Sequence, residues 1–315
     1  MPWKSYGWMQ DDTIFTRIKN LKDKKSLAVK ETIRRIADLE TGVLLYGETG
    51  VGKDFWASYL FEISRYSTFL NLNCGDVPEN LLESEWFGYK RGAFTGADRD
   101  YDGKWKKAAG GILFLNQVDL LSLNLQSRLL RIIERKKYYP LGSNREEEIQ
   151  ARFIFSADED IERKVRGGAF RQDLYYRISP YRVWVPPLRE RKKDILPLVM
   201  YFARQKQLEV KISEKAGKIL SQYPWAGNIR EIENFITTAA VGKNEPVLND
   251  NDVFNLLSGA EVFFETVKNS DMPMEELESR YIEYLMRKHK NKVKVARLLG
   301  ISRKSLYNKL GKLKA

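Results

Sequence analysis

Apolar residues follow two periods along this chain, and the change between them marks its organisation. Val43-Leu-Leu-Tyr46 is a short unbroken apolar run ending at a glycine, the pattern of a parallel strand buried on both faces. Phe69–Asn73, Ile112–Leu115, Phe153–Ser156 and Arg182–Val185 supply four more strand candidates. Between them lie helical spacings: Leu27 to Leu39 puts Ile33, Ile36 and Ala37 on one face, and Asp54 to Arg65 follows the first strand. Strands alternating with helices predict an α/β fold with a parallel sheet covered on both faces. From Lys193 the period becomes helical, over Asp194–Gln207, Ser213–Gln222 and Asn228–Val241 with no strand between them, predicting a small α-helical lid. Asn249–Met272 is polar and irregular enough to contain a linker, and a last helical cluster starts near Met274. The expected division is a lead-in over 1–14, an α/β domain over 15–190, a lid over 191–258, a linker over 259–273 and a small all-α domain over 274–315.

Composition narrows the class. With 315 residues, 43% of them apolar, the chain can bury one large core and smaller ones. No run approaches the ~18 apolar residues of a membrane span, and the N-terminus lacks a signal-peptide pattern, so a soluble, cytoplasmic protein with no membrane partner is expected. One cysteine, Cys74, excludes a disulfide, and with the single histidine it excludes ordinary zinc sites. Cys74 reads as a small core residue. The net charge of +12 is uneven: from Glu275 to Ala315, twelve Lys or Arg stand against four Glu. Charge alone leaves a polyanion partner and a solvated basic helix face equally open.

Candidate chemistry begins at Gly47-Glu48-Thr49-Gly50-Val51-Gly52-Lys53, between a predicted strand and a predicted helix. In that context backbone N–H groups and the helix N-terminus hold phosphates, while Lys53 reaches the β- and γ-oxygens. Asp54 stands where the general motif has a magnesium-binding Ser or Thr. Downstream lies Glu83-Ser-Glu-Trp-Phe-Gly-Tyr-Lys-Arg-Gly-Ala-Phe-Thr-Gly-Ala97. Its glycines permit a sharp hairpin, with Phe94 offering an aromatic and Thr95 a hydroxyl to a partner. Such a loop, coupled to a nucleotide site, can move with the state of the γ-phosphate. A plain solvated turn would account for Gly92 and Gly96 but not for the whole string.

That run resembles the surface loop with which NtrC-type bacterial enhancer-binding proteins engage sigma-54 RNA polymerase, and the resemblance extends over roughly residues 25–312. It implies an AAA+ domain with a helical lid, followed by a Fis-type helix-turn-helix. It implies contact with sigma-54 through Gly92, Ala93, Phe94, Thr95, Gly96 and Ala97. Asp54 fits, because the family usually carries an acid there. Phe170-Arg-Gln-Asp-Leu-Tyr-Tyr-Arg177 is similar to the segment that presents arginines to a neighbour's ATP, making Arg177 the arginine finger and Arg171 its companion. A finger acting in trans implies a ring, usually a hexamer. Tyr223-Pro-Trp-Ala-Gly-Asn-Ile-Arg-Glu-Ile-Glu-Asn234 resembles the second sensor, with Arg230 on the phosphates, and Asn73 matches the asparagine that restrains the catalytic glutamate.

Two departures bear on ATP and Mg2+. The strand Gly110-Gly-Ile-Leu-Phe-Leu-Asn-Gln-Val118 ends in Asn116 and Gln117 where the family has Asp-Glu. Asn116 is a poorer partner for magnesium, and Gln117 can bond a water without taking its proton. Loss of a general base typically removes ~10²–10⁴ in rate. In Arg152-Phe-Ile-Phe-Ser-Ala-Asp158 the usual sensor asparagine is Asp158. Three readings stand: Asp158 restores a carboxylate, the site has drifted away from hydrolysis, or the neutral pair is a deliberate ATP trap. A trap has no need of Asp158. ATP binding with weak or absent hydrolysis is the expectation.

Near the C-terminus, Val295, Leu298 and Leu299 have helical spacing up to Gly300. Ile301-Ser-Arg-Lys-Ser-Leu-Tyr-Asn-Lys-Leu310 then offers Ser302 as N-cap and Leu306 with Leu310 as a buried pair. This resembles the Fis-type module. Arg303 and Asn308 are the candidates for base edges, and Lys304 and Lys309 for phosphates. The helix near Glu278–Arg287 would pair two modules on palindromic, double-stranded enhancer DNA. A basic αα-hairpin is the plainer reading. The whole predicts a sigma-54-interacting regulator, with a non-hydrolysing repressor or antagonist as the alternative.

Overall fold

In the computed structural model, the described residues are Ile18 and residues 21–75, 78–241, 247–256, 273–289 and 291–312. The expected lead-in over 1–14 and nearly all of the 259–273 linker lie outside them. The first compact unit is formed by the chain up to Tyr201 together with Pro224–Glu233. It opens with the helix Lys24–Ile36, capped by the Asp23 carboxylate, which accepts the Lys25 amide at 3.0 Å. Next come β1 (Val43–Tyr46), the helix Lys53–Ile63, β2 (Phe69–Asn73) and the helix Glu79–Phe87. β3 (Gly88–Tyr89) and β4 (Tyr101–Asp102) pair antiparallel and close a hairpin. β5 (Ile112–Asn116) is followed by the helix Leu123–Arg135. A second hairpin joins β6 (Lys137–Tyr138) to β7 (Glu147–Glu148). β8 (Arg152–Ala157), the helices Ile161–Arg166 and Gln172–Ile178, and β9 (Tyr181–Trp184) follow, and two short 3-10 turns lead to the helix that starts at Ile195.

All five predicted strands form one sheet in the order β2-β5-β8-β1-β9, with every pairing parallel. The central strands β5, β8 and β1 lack polar alternation because both faces are covered, whereas the edge strands β2 and β9 are largely exposed or half-buried; successive side chains divide between two cores. Leu44, Leu113, Leu115, Phe153 and Phe155 enter one. Val43, Leu45, Ile112, Phe114 and Ile154 enter the other, with Ile33 and Trp56 from the first two helices. The helix Leu123–Arg135 covers the first face through Leu125, Leu129, Ile132 and Ile133, an i, i+4, i+7, i+8 stripe. Cys74 is buried as expected, and burial pushes its thiol up.

The second unit comprises Phe202–Tyr223 and the chain from Asn234. It corrects the expectation of a strand-free lid. β10 (Glu209–Lys211) pairs in parallel with β11 (Val247–Asn249), and the helix Asp250–Leu256 follows where an irregular stretch was expected. The helices Ile195–Gln205, Glu214–Gln222 and Asn228–Ala240 lie close to their predicted positions. The last three helices are Met274–His289, Lys292–Leu298 and Arg303–Lys312, and Ile282, Leu285, Val295, Ala296 and Leu306 form their shared core.

Candidate functional site

Parallel pairing carries the C-terminal ends of β1, β5 and β8 to one edge of the sheet, where the side chains picked from sequence meet. The loop from Gly47 to Gly52 follows β1. Gly50 needs to be glycine twice over: its φ is +78°, and a Cβ there would stand 2.5 Å from the Gly227 carbonyl oxygen. Lys53 opens the next helix and is 9% exposed; its ammonium donates to the carbonyls of Gly47 at 2.6 Å and Glu48 at 3.0 Å. Burial holds the Lys53 pKa below the usual lysine value, and the nearby Asp158, Asp119 and Asp54 carboxylates oppose that shift. Thr49 Oγ1 donates to Asp158 Oδ2 at 3.3 Å, which brings Asp158 to the phosphate loop. Arg230 is exposed, with its Cβ beside Gly50 and its charge felt at Lys53. These residues and backbone amides fit the phosphates of a nucleotide.

At the end of β5, Asn116 is held from both sides. Its Nδ2 donates to Asp54 Oδ1 at 2.7 Å, and its Oδ1 accepts the Ser156 hydroxyl. Ser156 Oγ in turn accepts the Gln117 amide at 3.0 Å, with Gln117 in a left-handed conformation. Asn73 pairs with Asn116 in register across β2 and β5, and its Oδ1 accepts the Gly75 amide at 3.2 Å. Asp54 is the one member of this cluster that offers magnesium a charged oxygen, because the amide group of Asn116 that faces Asp54 is a donor. No group of three acidic, His or Cys ligands occurs among the described residues. The donor set therefore fits a nucleotide well and an all-protein magnesium cage poorly.

Several participants were missed in the sequence. Glu48 receives both guanidinium nitrogens of Arg189, one at 2.8 Å, and Asn228 Nδ2 at 3.0 Å. The Arg189 hydrogen bonds hold the Glu48 carboxyl below its usual range, against burial, with Asn228 assisting. Asn228 is fully buried and also accepts the Leu188 amide at 2.8 Å. Asp119 is buried, pairs with Lys164 at 2.5 Å and accepts the Asp158 amide at 3.3 Å. Asn228 and Ser156 sit inside strings that were already notable, but nothing in their spacing reveals whom they bond.

Arg171 and Arg177 lie elsewhere. Arg177 lies just before β9, which pairs in parallel with β1, so it stands toward the edge opposite the phosphate loop of its own chain, whereas Arg171, whose amide donates to Gln126 Oε1 at 2.8 Å, sits against the start of the helix Leu123–Arg135 that follows β5. Three strand steps at about 3.3 Å each put roughly 10 Å of sheet between those edges. Arg171 binds Asp173 at 2.7 and 3.0 Å and Ser127 at 3.1 Å. Arg177 is exposed.

The loop from Gly92 to Ala97 crowns the β3–β4 hairpin. It is internally bonded, from Gly92 N to the Ala97 carbonyl and from Ala97 N to the Phe94 carbonyl, at 2.9 and 3.0 Å. Phe94 is 46% exposed and touches Tyr89 edge-on at 5.0 Å; Ala93 is half-buried, Thr95 and Gly96 are exposed and Ala97 is buried. Beneath it Trp86, Phe87, Trp105 and Tyr138 pack as an aromatic base.

In the C-terminal helices Ser302 accepts the Ser305 amide at 3.1 Å as the expected cap, and Leu306 is fully buried. Arg303 and Lys304 are exposed. Lys309 is half-buried and pairs with Glu278 at 2.5 Å. The side chain of Asn308 lies outside the described residues.

The sequence matches the family described as sigma-54 interaction domain over residues 20–184, the AAA+ ATPase lid domain over 189–270 and the Fis family of bacterial regulatory proteins over 273–313. It is 42% identical to regulatory protein LuxO of Vibrio cholerae over 222 residues, 68% of this chain and 42% of that one. It is 37% identical to transcriptional regulatory protein ZraR of Klebsiella oxytoca over 294 residues, 90% of this chain and 66% of the relative. The phenol regulator MopR of Acinetobacter guillouiae is 35% identical over 90% of this chain and 54% of its own. The chain thus spans about half the length of these relatives. Among solved structures it is similar to NtrX of Brucella abortus, with TM-score 0.68 and 24% identity over 93% of this chain and 68% of that one. NtrX has also been solved with ATP, at TM-score 0.66 and 25% identity, with the same coverage of both chains. No helix among the described residues is long and apolar enough to cross a membrane.

Proposed function

The chain belongs to the sigma-54 interaction domain family, with an AAA+ lid and a Fis-type helix-turn-helix, and from that premise we propose that it is an ATP-binding regulator of sigma-54 RNA polymerase. The phosphate loop Gly47–Lys53 and Arg230 bind the nucleotide. Copies assemble into a ring, a hexamer by family resemblance, in which Arg177 and Arg171 serve the neighbour's site. Phe94 and Thr95 press on sigma-54 to promote open-complex formation. Residues 274–315 dimerise and bind enhancer DNA, with Arg303 and Asn308 toward base edges and Lys304 toward phosphates. The α/β domain over 15–190 and the lid over 191–258 are the working boundaries. The reading rests chiefly on the hairpin: an aromatic held out to solvent on the same compact unit as a complete phosphate loop.

Bound magnesium would neutralise phosphate charge. The residues' own work is narrower. Asp54 supplies the one carboxylate at the metal position, Asn116 orients Asp54 through its amide, and Gln117 can orient a water without deprotonating it. Asp158, bonded to Thr49 and acting electrostatically on Lys53, is a carboxylate beside the phosphate loop that could take a proton. The Asn116–Asp54 bond favours a second reading, a non-hydrolysing repressor or antagonist that co-assembles with an active homologue.

Phosphate release from Mg-ATP at ring-forming concentration decides between them, run beside the Asn116→Asp, Gln117→Glu double substitution. The expected result is weak or no release by the chain and a gain of at least ~10² in the double variant. Clear turnover by the unaltered chain would assign the proton to Asp158. A silent double variant would overturn the picture of an intact ATP machine.

A further inference from the structure

At the sheet edge opposite the phosphate loop, a cavity of about 340 Å³ opens between the starts of β1, β8 and β9. Ile133, Phe153 and Phe155 line it and are buried, while Lys136 and Arg177 line it and are exposed. Lys136 terminates the helix Leu123–Arg135 in a left-handed conformation, φ +56°, which turns it out of the helix. Its ammonium sits 4.7 Å from the centre of the Phe153 ring, a cation–π contact that fixes its direction. Desolvation where its ammonium packs against the cavity wall lowers its pKa, the Arg177 charge adds to that, and the Glu40 carboxylate opposes it. Glu40 also lines the cavity, but its carboxylate is committed to Arg65 at 2.8 Å. Among the described residues no carboxylate lies within ion-pair distance of Lys136 or Arg177, although most charged groups around the neighbouring hairpins are paired.

Two like charges converging on one cavity repel each other, and the fold keeps them there. An anion resolves the conflict, and one with several oxygens can serve both a planar guanidinium and a point-charge ammonium. The chain's own nucleotide cannot supply it, because the phosphate loop is on the far edge of the sheet. We propose that Lys136 and Arg177 together form a two-cation receptor for the terminal phosphates of a nucleotide carried by a second copy of this chain. The inference rests on the reading of Arg177 as a trans-acting finger and adds Lys136 as its partner.

The test uses the full chain and a fluorescent ATP analogue, so turnover is not required. Affinity is measured at high dilution and at ring-forming concentration. For the unaltered chain it rises on assembly. Lys136→Gln leaves the dilute affinity unchanged and cuts the assembled affinity by about tenfold, the worth of one charge-assisted hydrogen bond. Lys136→Arg retains most of the gain. Adding excess Lys53→Ala chain, which lacks its own phosphate clamp but keeps its Lys136, restores the affinity of Lys136→Gln. That rescue separates a contact made in trans from a fold defect. If Lys136→Gln weakens dilute binding equally, Lys136 acts within its own subunit and the proposal falls. If Lys136→Gln keeps the full gain while Arg177→Ala loses it, the finger reading stands and Lys136 is no part of it. If neither variant alters the gain, or the unaltered chain shows none, both fall. Saturable binding of inorganic phosphate to dilute chain, lost in Lys136→Gln, would make this a site for a free anion and overturn the second-copy assignment.

Discussion

Residue by residue, the candidate site shows how neutral side chains reorganise a phosphate-binding edge. Asn116 is the isostere of an acid, yet it does what an acid cannot, donating to Asp54 at 2.7 Å while it accepts from Ser156. A carboxylate in its place would face Asp54 as a like charge. The identities of Asn116 and Gln117 were legible in the sequence; their bonding was not, because Ser156 lies forty positions away and only the β5–β8 pairing brings it close. Asp158 was legible as the residue at a strand end and Lys53 as the last residue of the phosphate-loop string, whereas Asp119 and its partner Lys164 carry no local signal. Glu48 allows a prediction with a definite sign. Its folded pKa lies below the ordinary value of 4.5, held down first by Arg189 and then by Asn228. Its carboxylate therefore adds stability that is complete above about pH 4.5 and is lost as pH falls through the lower folded value. Glu48→Gln should lower stability by about 1 kcal/mol at pH 7, with the difference from the unaltered chain vanishing in acid. Urea denaturation from pH 3 to 7 measures it, and a difference constant with pH would contradict the assignment.

At the scale of elements, what sequence patterns resolve is set by length and burial. The three central strands could be read because both faces are covered and the apolar runs are nearly unbroken, and the edge strands β2 and β9 from their apolar residues and their place between helical segments. β10 and β11 could not: they are three residues each, mostly exposed or half-buried, and their pairing joins segments 38 positions apart. The β3–β4 hairpin was legible as a loop with an exposed aromatic, but the close packing at its foot comes from contacts that spacing does not report. At its foot, a Cβ on Gly103 would stand 2.3 Å from the Gly88 nitrogen and the Trp86 carbonyl oxygen. Gly103→Ala should cost about 1–3 kcal/mol through this overpacking and loosen the aromatic base. Phe94→Ala, on the exposed tip, should leave the melting temperature nearly unchanged and abolish binding to sigma-54. Thermal unfolding with a sigma-54 binding assay separates the two, and equal stability losses would mean the tip is structural.

For the molecule as a whole, charge and placement divide the labour. The basic excess collects on the C-terminal helices, where Arg303 and Lys304 are exposed and Lys309 pairs with Glu278. Lys304→Ala should weaken DNA binding uniformly across sequences and reduce the salt slope by about 1, while Arg303→Ala relaxes sequence preference. Competition binding over a panel of operators at two salt concentrations reads both, and identical effects would erase the division of roles. The other placement is that of the phosphate loop and Arg177, on opposite edges of one sheet. In the assembly proposed above, where Arg177 serves a neighbour's nucleotide, each chain is half of two different sites, so complete sites belong to junctions and not to chains. An open row of n copies has n − 1 of them, and closing the row creates the last one without adding a subunit. A copy unable to cleave ATP still completes the junction on its other side, so mixing it with a competent relative would silence only the junctions where its own nucleotide sits.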